Sequence, residues 1–215
     1  MPDLTTRAGG PEMMDDLAHP ARTFDEAYRE LGLINRYLGG VRAVRRFVDV
    51  SRGGTLLDVA GGASDIGADL GKRGGWRCSV LDLNQAALGR VRSCDRVLGD
   101  AFRLPFGEGA FDVVAASLFF HHLTDSECAG VLGGMHRIAR RRVIVNELHR
   151  TRTAFLGILW LTRLASRSAM VRNDAPLSVR RGFRPRELQA IAEQAGLEGT
   201  VHRSFPYRLV LVIDK

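Results

Sequence analysis

Lysine is nearly missing from this 215-residue chain: only Lys72 and Lys215 occur, so arginine carries the formal net charge of +7. The arginines are scattered apart from three short runs, at 45–46, 140–142 and 180–181. Scattered charge is typical of a solvated surface, whereas a nucleic-acid interface gathers its basic residues into a patch or stripe. The composition therefore disfavours a nucleic acid as partner.

Cysteine is also scarce. Cys78, Cys94 and Cys128 form an odd set without C-x-x-C spacing, which favours a reducing compartment and disfavours a structural zinc site. No apolar run approaches the ~18 residues that span a bilayer, and the first residues lack the basic-then-apolar pattern of a secretory signal. We therefore expect a cytoplasmic protein with no membrane span and no metal site.

The rest of the chain is organised around the stretch 56–70, which reads LLDVAGGASDIGADL. An apolar run ends at Asp58, Gly61 and Gly62 follow, and Ser64 precedes a segment with helical periodicity. This order predicts a buried strand, a tight turn and a helix with a polar N-cap. Because glycine lets backbone approach a ligand and a helix N-terminus offers free N–H groups, the turn is predicted to hold a polar ligand.

Other apolar runs end in polar residues as well, namely at Asp82, at Asp100 and at Ser117. Runs of this kind alternate with helical patterns, which predicts an α/β protein with a mostly parallel sheet. Ligands bind outside the carboxyl ends of such strands, and an acid about 20 residues after the first turn is placed to accept from ribose hydroxyls. The last two strands meet at Pro206, and so short a connection requires an antiparallel pair.

These residues resemble the nucleoside-binding core of the class I S-adenosylmethionine-dependent methyltransferases, whose usual turn runs apolar-apolar-Asp-apolar-Gly-x-Gly-x-Gly. Ala60, Gly62 and Ser64 stand at the three glycine positions, so only the middle glycine is kept. The resemblance implies a Rossmann-like, seven-stranded, mostly parallel sheet with an antiparallel C-terminal hairpin. It implies a methyltransferase domain over residues 51–215, after an N-terminal arm and helical lid over residues 1–50.

The resemblance also implies S-adenosylmethionine as cofactor, with S-adenosylhomocysteine as product. Asp82 is expected to hold the ribose, and Leu83 to flank the adenine. Asp100 and Ala101 are expected to read the adenine amino edge, and Ser117 to face the methionine end with the first turn. The full expected cofactor-binding set is Asp58, Ala60, Gly61, Gly62, Asp82, Leu83, Asp100, Ala101 and Ser117.

The candidate catalytic residues are His121 and His122, which follow the fourth strand, where the family places the transferred methyl group. Methyl transfer needs a nucleophile held in line, and a phenol, whose pKa is about 10, gains from a base that works near neutral pH. The alternative is that one histidine caps the loop and the other is a hydrogen-bonded core residue. Phe120, Asn146 and Trp160 are the candidate substrate-binding residues.

The substrate is expected to be a small aromatic or polyketide-like metabolite. The chain resembles small bacterial ubiquinone/menaquinone C-methylases, and two short segments, Asn35-Arg36-Tyr37-Leu38-Gly39 and a predicted loop over 174–179, resemble polyketide-tailoring methyltransferases. Methylation of oxygen is favoured. The alternatives are methylation of a quinone-like ring carbon, a nucleic-acid methyltransferase and a methyltransferase-like binding protein without catalysis. The sequence does not indicate an oligomeric state.

Overall fold

A single mixed sheet forms the centre of the molecule. The computed structural model describes residues 2–16, 18 and 20–215. Within these residues the strands are β1 (Gly54–Val59), β2 (Trp76–Asp82), β3 (Asp95–Leu98), β4 (Phe111–Ser117), β5 (Ala139–Leu148), β6 (Thr200–Ser204) and β7 (Arg208–Asp214). They lie in the order β3-β2-β1-β4-β5-β7-β6.

The first five strands are parallel, and the last two are antiparallel to their neighbours. β7 lies between β5 and β6, so the C-terminal hairpin adds its second strand to the sheet and leaves its first strand at the edge. The predicted seven-stranded, mostly parallel, Rossmann-like sheet is confirmed. Strand order reverses between β1 and β4, and in open α/β sheets ligands bind outside the carboxyl ends of the strands at such a point.

Helices cover both faces of the sheet and its carboxyl end. They are α1 (Ala21–Tyr37), α2 (Gly40–Arg45), α3 (Asp65–Gly71), α4 (Gln85–Leu88), α5 (Asp125–Ile138), α6 (Arg152–Ala165), α7 (Ala169–Arg181) and α8 (Pro185–Gln194). Strands β5 and β7 carry mostly buried side chains, as expected for strands covered on both faces.

Two apolar cores fill the space between these layers. On one face, α5 and α8 pack through residues such as Leu132 and Leu188 against inward-facing side chains of β1, β4, β5 and β7. On the other face, α2 and α3 pack through Val44 and Ile66 against residues such as Leu56. The sheet is therefore held rigidly, and its loops can carry a site.

A third apolar cluster joins α1, α6 and α7, with Phe24, Ile158 and Val179 among its members. Leu148, at the end of β5, packs against this cluster. The three helices therefore form a roof over part of the carboxyl edge of the sheet.

Three local expectations from the sequence are wrong. The sequence Thr23-Phe24-Asp25-Glu26 matches a capping box and predicts a helix that begins there, but α1 begins at Ala21 after Pro20, so Thr23 lies inside its first turn. The segment 174–179, predicted as a loop, belongs to α7, with Pro176 inside the helix. Residues 1–19 lack periodicity and are therefore expected to form a loosely held arm, but Arg7 in this arm bonds to several backbone carbonyls.

Among the helices of the described residues, none combines the length and the apolar character that a membrane span requires.

Candidate active site

The turn after β1 adopts the backbone of a glycine turn, although two of its three special positions are not glycine. Ala60, Gly62 and Ser64 all have positive φ, at 52°, 52° and 54°. A Cβ at such a position strains the backbone. Ser64 also does not act as the expected N-cap of α3, since its side chain makes no capping bond. The turn therefore keeps the shape of a glycine turn, but the side chains of Ala60 and Ser64 add backbone strain to the folded state.

Gly61 is required for packing rather than for flexibility. A Cβ there would lie 2.6 Å from Asp58 Cγ and 2.8 Å from Val80 Cγ2. Gly62 differs, because the nearest heavy atom to a Cβ there is Tyr28 Cε1, at 3.8 Å. The first glycine thus lets the turn pack on the sheet, and the second has room beside it.

Asp58 lies beneath the turn and does not line the cleft. Its Oδ2 accepts from Ser64 Oγ at 3.0 Å, and its Oδ1 has no hydrogen-bond partner. Burial raises the pKa of Asp58 to about 7, against the opposing effect of the Ser64 hydroxyl. The predicted cofactor contact at Asp58 is therefore replaced by a supporting role under the turn.

Asp82, at the end of β2, braces the same turn from the side. Its Oδ2 accepts from the Gly62 N–H at 2.8 Å, and its Oδ1 accepts from the Asn84 N–H at 2.7 Å. Each carboxylate oxygen keeps a lone pair for a further donor. The carboxylate thus lies in the cleft with both of its oxygens fixed in position.

The cleft, about 440 Å³ in volume, lies along the carboxyl ends of the first four strands. All the predicted cofactor residues except Asp58 line it, namely Ala60, Gly61, Gly62, Asp82, Leu83, Asp100, Ala101 and Ser117. Asp100 Oδ1 accepts from the Phe102 N–H at 2.9 Å, and Ser117 Oγ accepts from Asn146 Nδ2 at 2.7 Å. The structure therefore brings together side chains from four separate strand ends.

The charged side chains that line the cleft, in the described part of the chain, include four aspartates and no lysine or arginine. They are Asp15, Asp65, Asp82 and Asp100. A pyrophosphate would meet repulsion in such a site, whereas hydroxyl, amino or cationic groups would find acceptors.

Tyr28, on α1, closes one side of the cleft and was not singled out in the sequence. Its hydroxyl accepts from Asn84 Nδ2 at 3.2 Å. Burial and the neighbouring Asp82 raise the pKa of Tyr28 to about 12, so the phenol stays neutral at physiological pH. Helix α1 therefore contributes directly to the cleft.

A second cavity, of about 410 Å³, lies under the roof of α1, α6 and α7. Its lining is mostly apolar, from residues such as Leu31, Ile158 and Val179, and it shares Met14, Leu118 and His122 with the cleft. The two spaces therefore adjoin at these three residues.

Arg208 is the unusual member of this apolar cavity. Its side chain is 3% exposed, Nη2 donates to Asn35 Oδ1 at 3.3 Å, and Nη1 has no hydrogen-bond partner. Burial lowers the pKa of Arg208 to about 10, which still leaves it charged at neutral pH. A buried donor without a partner is costly, so this N–H is available to an acceptor on a ligand.

The three predicted substrate-binding residues lie elsewhere. Phe120 is fully buried in the core that α5 and α8 share, and Trp160 is 57% exposed on the outer side of α6. Asn146 is also fully buried, where it positions Ser117. None of the three lines the cleft or the apolar cavity. These assignments are therefore corrected: the apolar wall comes from aliphatic residues of the roof.

His121 and His122, in a 3-10 turn over Phe120–His122, both have their two ring nitrogens facing carboxylates. His121 Nδ1 lies 2.8 Å from Glu147 Oε2, and its Nε2 lies 3.6 Å from Glu12 Oε1. His122 Nδ1 lies 2.9 Å from Asp15 Oδ1, and its Nε2 lies 3.9 Å from Glu12 Oε2. His121 is buried at 3% exposure, whereas His122, at 24%, lines both the cleft and the apolar cavity.

The pKa values of the three carboxyl groups around the histidines shift in different directions. Burial raises the pKa of Glu12 to about 7, although His122 opposes the shift. Burial is the largest single effect on Glu147 and acts in the same direction, but His121, the Leu148 N–H and His122 together lower the pKa of that carboxyl. Burial is also the largest single effect on Asp15, but His122, the Glu12 N–H and Arg181 together lower its pKa to about 2.

Sequence reasoning missed Glu12, Asp15 and Arg208. The N-terminal segment has no periodicity, so nothing in it indicated that two acids would reach the histidines. Arg208 is one of many arginines, and only its place at the start of a buried strand distinguishes it. Glu147 lies beside Asn146 near the end of the fifth strand, and that position was the one available signal.

Residues 57–145 match the methyltransferase domain family. The demethylmenaquinone methyltransferase of Mycolicibacterium paratuberculosis is 30% identical over 150 residues, which cover 65% of this chain and 64% of that protein. The enzyme of the same name from Mycobacterium bovis is 33% identical over 128 residues, covering 56% and 53%. The chain thus matches less than two thirds of the length of these relatives.

Solved structures share the fold at low sequence identity. A SAM-dependent methyltransferase from Aquifex aeolicus aligns with a TM-score of 0.63 at 15% identity, covering 84% of this chain and 92% of that one. Magnesium protoporphyrin IX methyltransferase from Synechocystis, with bound SAH, aligns with a TM-score of 0.56 at 15% identity, covering 86% and 84%. In its matched segment and its sheet, the chain is therefore similar to the class I S-adenosylmethionine-dependent methyltransferases, and in sequence it resembles the demethylmenaquinone methyltransferases.

Proposed function

We propose that the chain transfers a methyl group from S-adenosylmethionine to a small, mainly apolar metabolite that carries an oxygen. The observation that carries this proposal is the junction of an acid-lined cleft with an apolar cavity at Met14, Leu118 and His122. Methyl transfer needs a donor and an acceptor that meet end to end, and two adjoining spaces of different polarity supply that arrangement.

The cleft fits the proposed cofactor. Its volume of about 440 Å³ falls within the roughly 300–1,000 Å³ range of small-molecule sites. Asp82 would hold the ribose hydroxyls and Asp100 the adenine amino group, because both carboxylates line the cleft and accept hydrogen bonds. When bound, S-adenosylmethionine supplies a methyl group on a cationic sulfur. It carries no phosphate, so the acidic lining does not repel it.

The acceptor would lie in the apolar cavity. Aliphatic side chains of the roof bury the body of the molecule, and Arg208 Nη1 donates to one of its oxygens. An aromatic phenol, a quinone or a polyketide has both features. We favour oxygen as the methylated atom, because a hydroxyl at the junction would lie beside His122.

A ring carbon is the second candidate, and a specific observation favours it. The curated relatives are demethylmenaquinone methyltransferases, and their name indicates a quinone-type substrate. A quinone ring also fits an apolar cavity with one charged donor. Positioning by the cavity serves either acceptor atom equally well.

The proposal is tested first by isothermal titration with S-adenosylmethionine and S-adenosylhomocysteine, both of which we expect to bind. Labelled S-adenosylmethionine is then incubated with the protein and a metabolite extract, and the labelled product is identified by mass spectrometry and NMR. An O-methyl product supports the favoured acceptor, and a C-methyl product supports the second candidate. Failure of both cofactor forms to bind contradicts the function altogether.

A further inference from the structure

Glu12 and the two histidines form a buried cluster whose distances differ from those of ordinary ion pairs. The gaps from Glu12 to the Nε2 atoms of His121 and His122 are 3.6 Å and 3.9 Å. Hydrogen bonds between such groups have lengths of about 2.7–3.2 Å. The imidazole rings lie side by side with centroids 4.3 Å apart, so two nitrogens face one carboxylate across a space slightly too wide for direct bonds.

The carboxylates next to the Nδ1 atoms favour one tautomer of each imidazole ring. Nδ1 of His121 and Nδ1 of His122 lie at hydrogen-bond distance from Glu147 and Asp15, at 2.8 Å and 2.9 Å. A ring that donates Nδ1–H to a carboxylate keeps its Nε2 lone pair free. Both free lone pairs therefore face Glu12, and a carboxylate behind each histidine is the arrangement that orients metal-binding imidazoles.

We propose that Glu12, His121 and His122 bind a divalent cation of the zinc class. Their ligand atoms all lie within 4.8 Å of one another. Metal–ligand bonds of about 2.0–2.2 Å in a tetrahedral site place the ligands roughly 3.3–3.6 Å apart, which is close to the gaps observed. Two imidazoles, one carboxylate and an open position form a zinc donor set, whereas magnesium prefers oxygen ligands.

The charge of the cluster supports a dication. Three acidic side chains, Glu12, Asp15 and Glu147, adjoin the two imidazoles. Arg181 is also in contact with this cluster, since its Nη1 lies 3.8 Å from Glu12 Oε1 and 3.5 Å from Asp15 Oδ2. The cluster therefore gathers three acidic groups beside this guanidinium in a place that water reaches poorly, and a bound dication would compensate their charge.

The position of the site gives the cation a role, and this part of the inference rests on the proposed function. His122 lines both the cleft and the apolar cavity, so an ion bound to it adjoins the junction and can hold an oxygen of the acceptor. Both imidazoles then serve as ligands. This replaces the expectation that one of them is a general base.

The test is isothermal titration of Zn²⁺ into the full chain, together with elemental analysis after dialysis. We expect one bound zinc per chain. His121→Ala, His122→Ala and Glu12→Gln should each weaken zinc affinity by more than about 100-fold. Glu147→Gln, which alters the support behind His121 and leaves the three ligands in place, should weaken it by about 10- to 100-fold.

His136→Ala is the matched control, because His136 lies at the far end of α5, and it should bind zinc as the wild type does. Circular dichroism verifies folding, and Glu12→Gln preserves the shape of its side chain. The site is refuted if wild-type protein binds no zinc, if the ligand variants bind it as wild type does, or if Mg²⁺ binds as tightly. Because S-adenosylhomocysteine is titrated separately, failure of the metal site and failure of the methyltransferase function give different results.

Discussion

At the scale of single residues, glycine substitutions at Ala60 and Ser64 separate two opposing effects on stability: backbone strain in the turn and the buried hydrogen bond of Ser64. Both have the left-handed backbone that costs a non-glycine residue about 1–2 kcal/mol. Ala60→Gly relieves this strain and gives back about 0.4–1 kcal/mol through the flexibility of the unfolded chain. We expect a net gain of roughly 0.5–1 kcal/mol in the free energy of unfolding, measured by urea denaturation.

Ser64→Gly should act in the opposite direction, although it relieves the same strain. Ser64 Oγ donates the hydrogen bond that Asp58 receives, and its loss leaves a fully buried carboxylate without a partner. An unsatisfied buried acceptor costs about 1–3 kcal/mol, so we expect a net loss of about 1 kcal/mol. Equal effects of the two glycine substitutions would show that the buried hydrogen bond contributes nothing.

Asp82 is expected to connect the turn to the cofactor. Asp82→Ala removes a carboxylate that accepts two backbone N–H bonds and that we propose also holds the ribose. S-adenosylhomocysteine affinity should fall by roughly 2–4 kcal/mol in calorimetric titration, because charge-assisted hydrogen bonds are lost. Asp95→Ala is the control, since Asp95 is an exposed acid on the neighbouring strand. Unchanged affinity in Asp82→Ala would exclude the proposed position of the ribose.

Arg208 is expected to select acceptors that carry an oxygen. Wild-type protein should bind 1-naphthol more tightly than naphthalene, by about tenfold or more, because a hydrogen bond to a charged donor contributes roughly 1.5–3 kcal/mol. Arg208→Met keeps a long side chain in the cavity but removes the free N–H, and it should bind the two ligands about equally. A preference that survives in Arg208→Met would assign oxygen recognition to another group.

At the scale of elements, Arg7 is one of the side chains that hold the N-terminal segment against the rest of the molecule. Arg7 donates to the carbonyls of Leu123 and Arg181, pairs with Asp125 at 2.6 Å and lies 4.2 Å from the centroid of the Phe183 ring. This anchoring keeps the neighbouring acids of the segment beside the histidines.

Arg7→Ala should therefore release the N-terminal segment while the sheet stays folded. We expect faster hydrogen exchange in residues 2–16 and a loss of about 2 kcal/mol in the free energy of unfolding, since several buried hydrogen bonds disappear. Arg22→Ala is the control, because the Arg22 side chain is 91% exposed and makes a single pair with Glu26. If Arg7→Ala leaves the exchange of this segment unchanged, other contacts hold it.

The same elements show which features a sequence can reveal. The capping box at Thr124 is local, and the structure contains it. The β1 turn and the strand-end acids follow from chain order, because parallel strands bring their carboxyl ends to one edge. The helix through Pro176 was missed, because its stability comes from packing of α7 against α1 and α6 rather than from propensity.

Contacts between residues far apart in the chain had no local signal at all. Glu12 meets His122 although the first four strands lie between them in the chain, and the segment that carries Glu12 has no periodic pattern. Phe120 and Trp160 were predicted to line the substrate site, but one is a core residue and the other is exposed. Aromatic character alone does not distinguish a core residue, a surface residue and a residue that lines a cavity.

At the scale of the whole molecule, buried acids should make stability depend on pH. Burial raises the pKa of Asp58 from 3.8 to about 7, so between these values the folded state binds more protons than the unfolded state. Its contribution to stability is therefore fully present below about pH 4 and is lost as the pH rises through about 7. At most it is about 4 kcal/mol, from roughly three pKa units at 1.36 kcal/mol each. Glu12 acts with the same sign, because burial raises its pKa from 4.5 to about 7.

Asp58→Asn should separate these two contributions. The amide keeps an oxygen that can accept from Ser64 but never ionises, so the fall in stability between pH 5 and pH 8 should shrink to the part that Glu12 contributes. The measurement is the free energy of unfolding from urea titrations at several pH values, without ligand. Asp112→Asn is the comparison, because neighbouring donors lower the pKa of Asp112 despite its partial burial, and it should keep the full fall. A wild-type protein whose stability rises from pH 5 to pH 8 would contradict the expected protonation of Asp58 in the folded state.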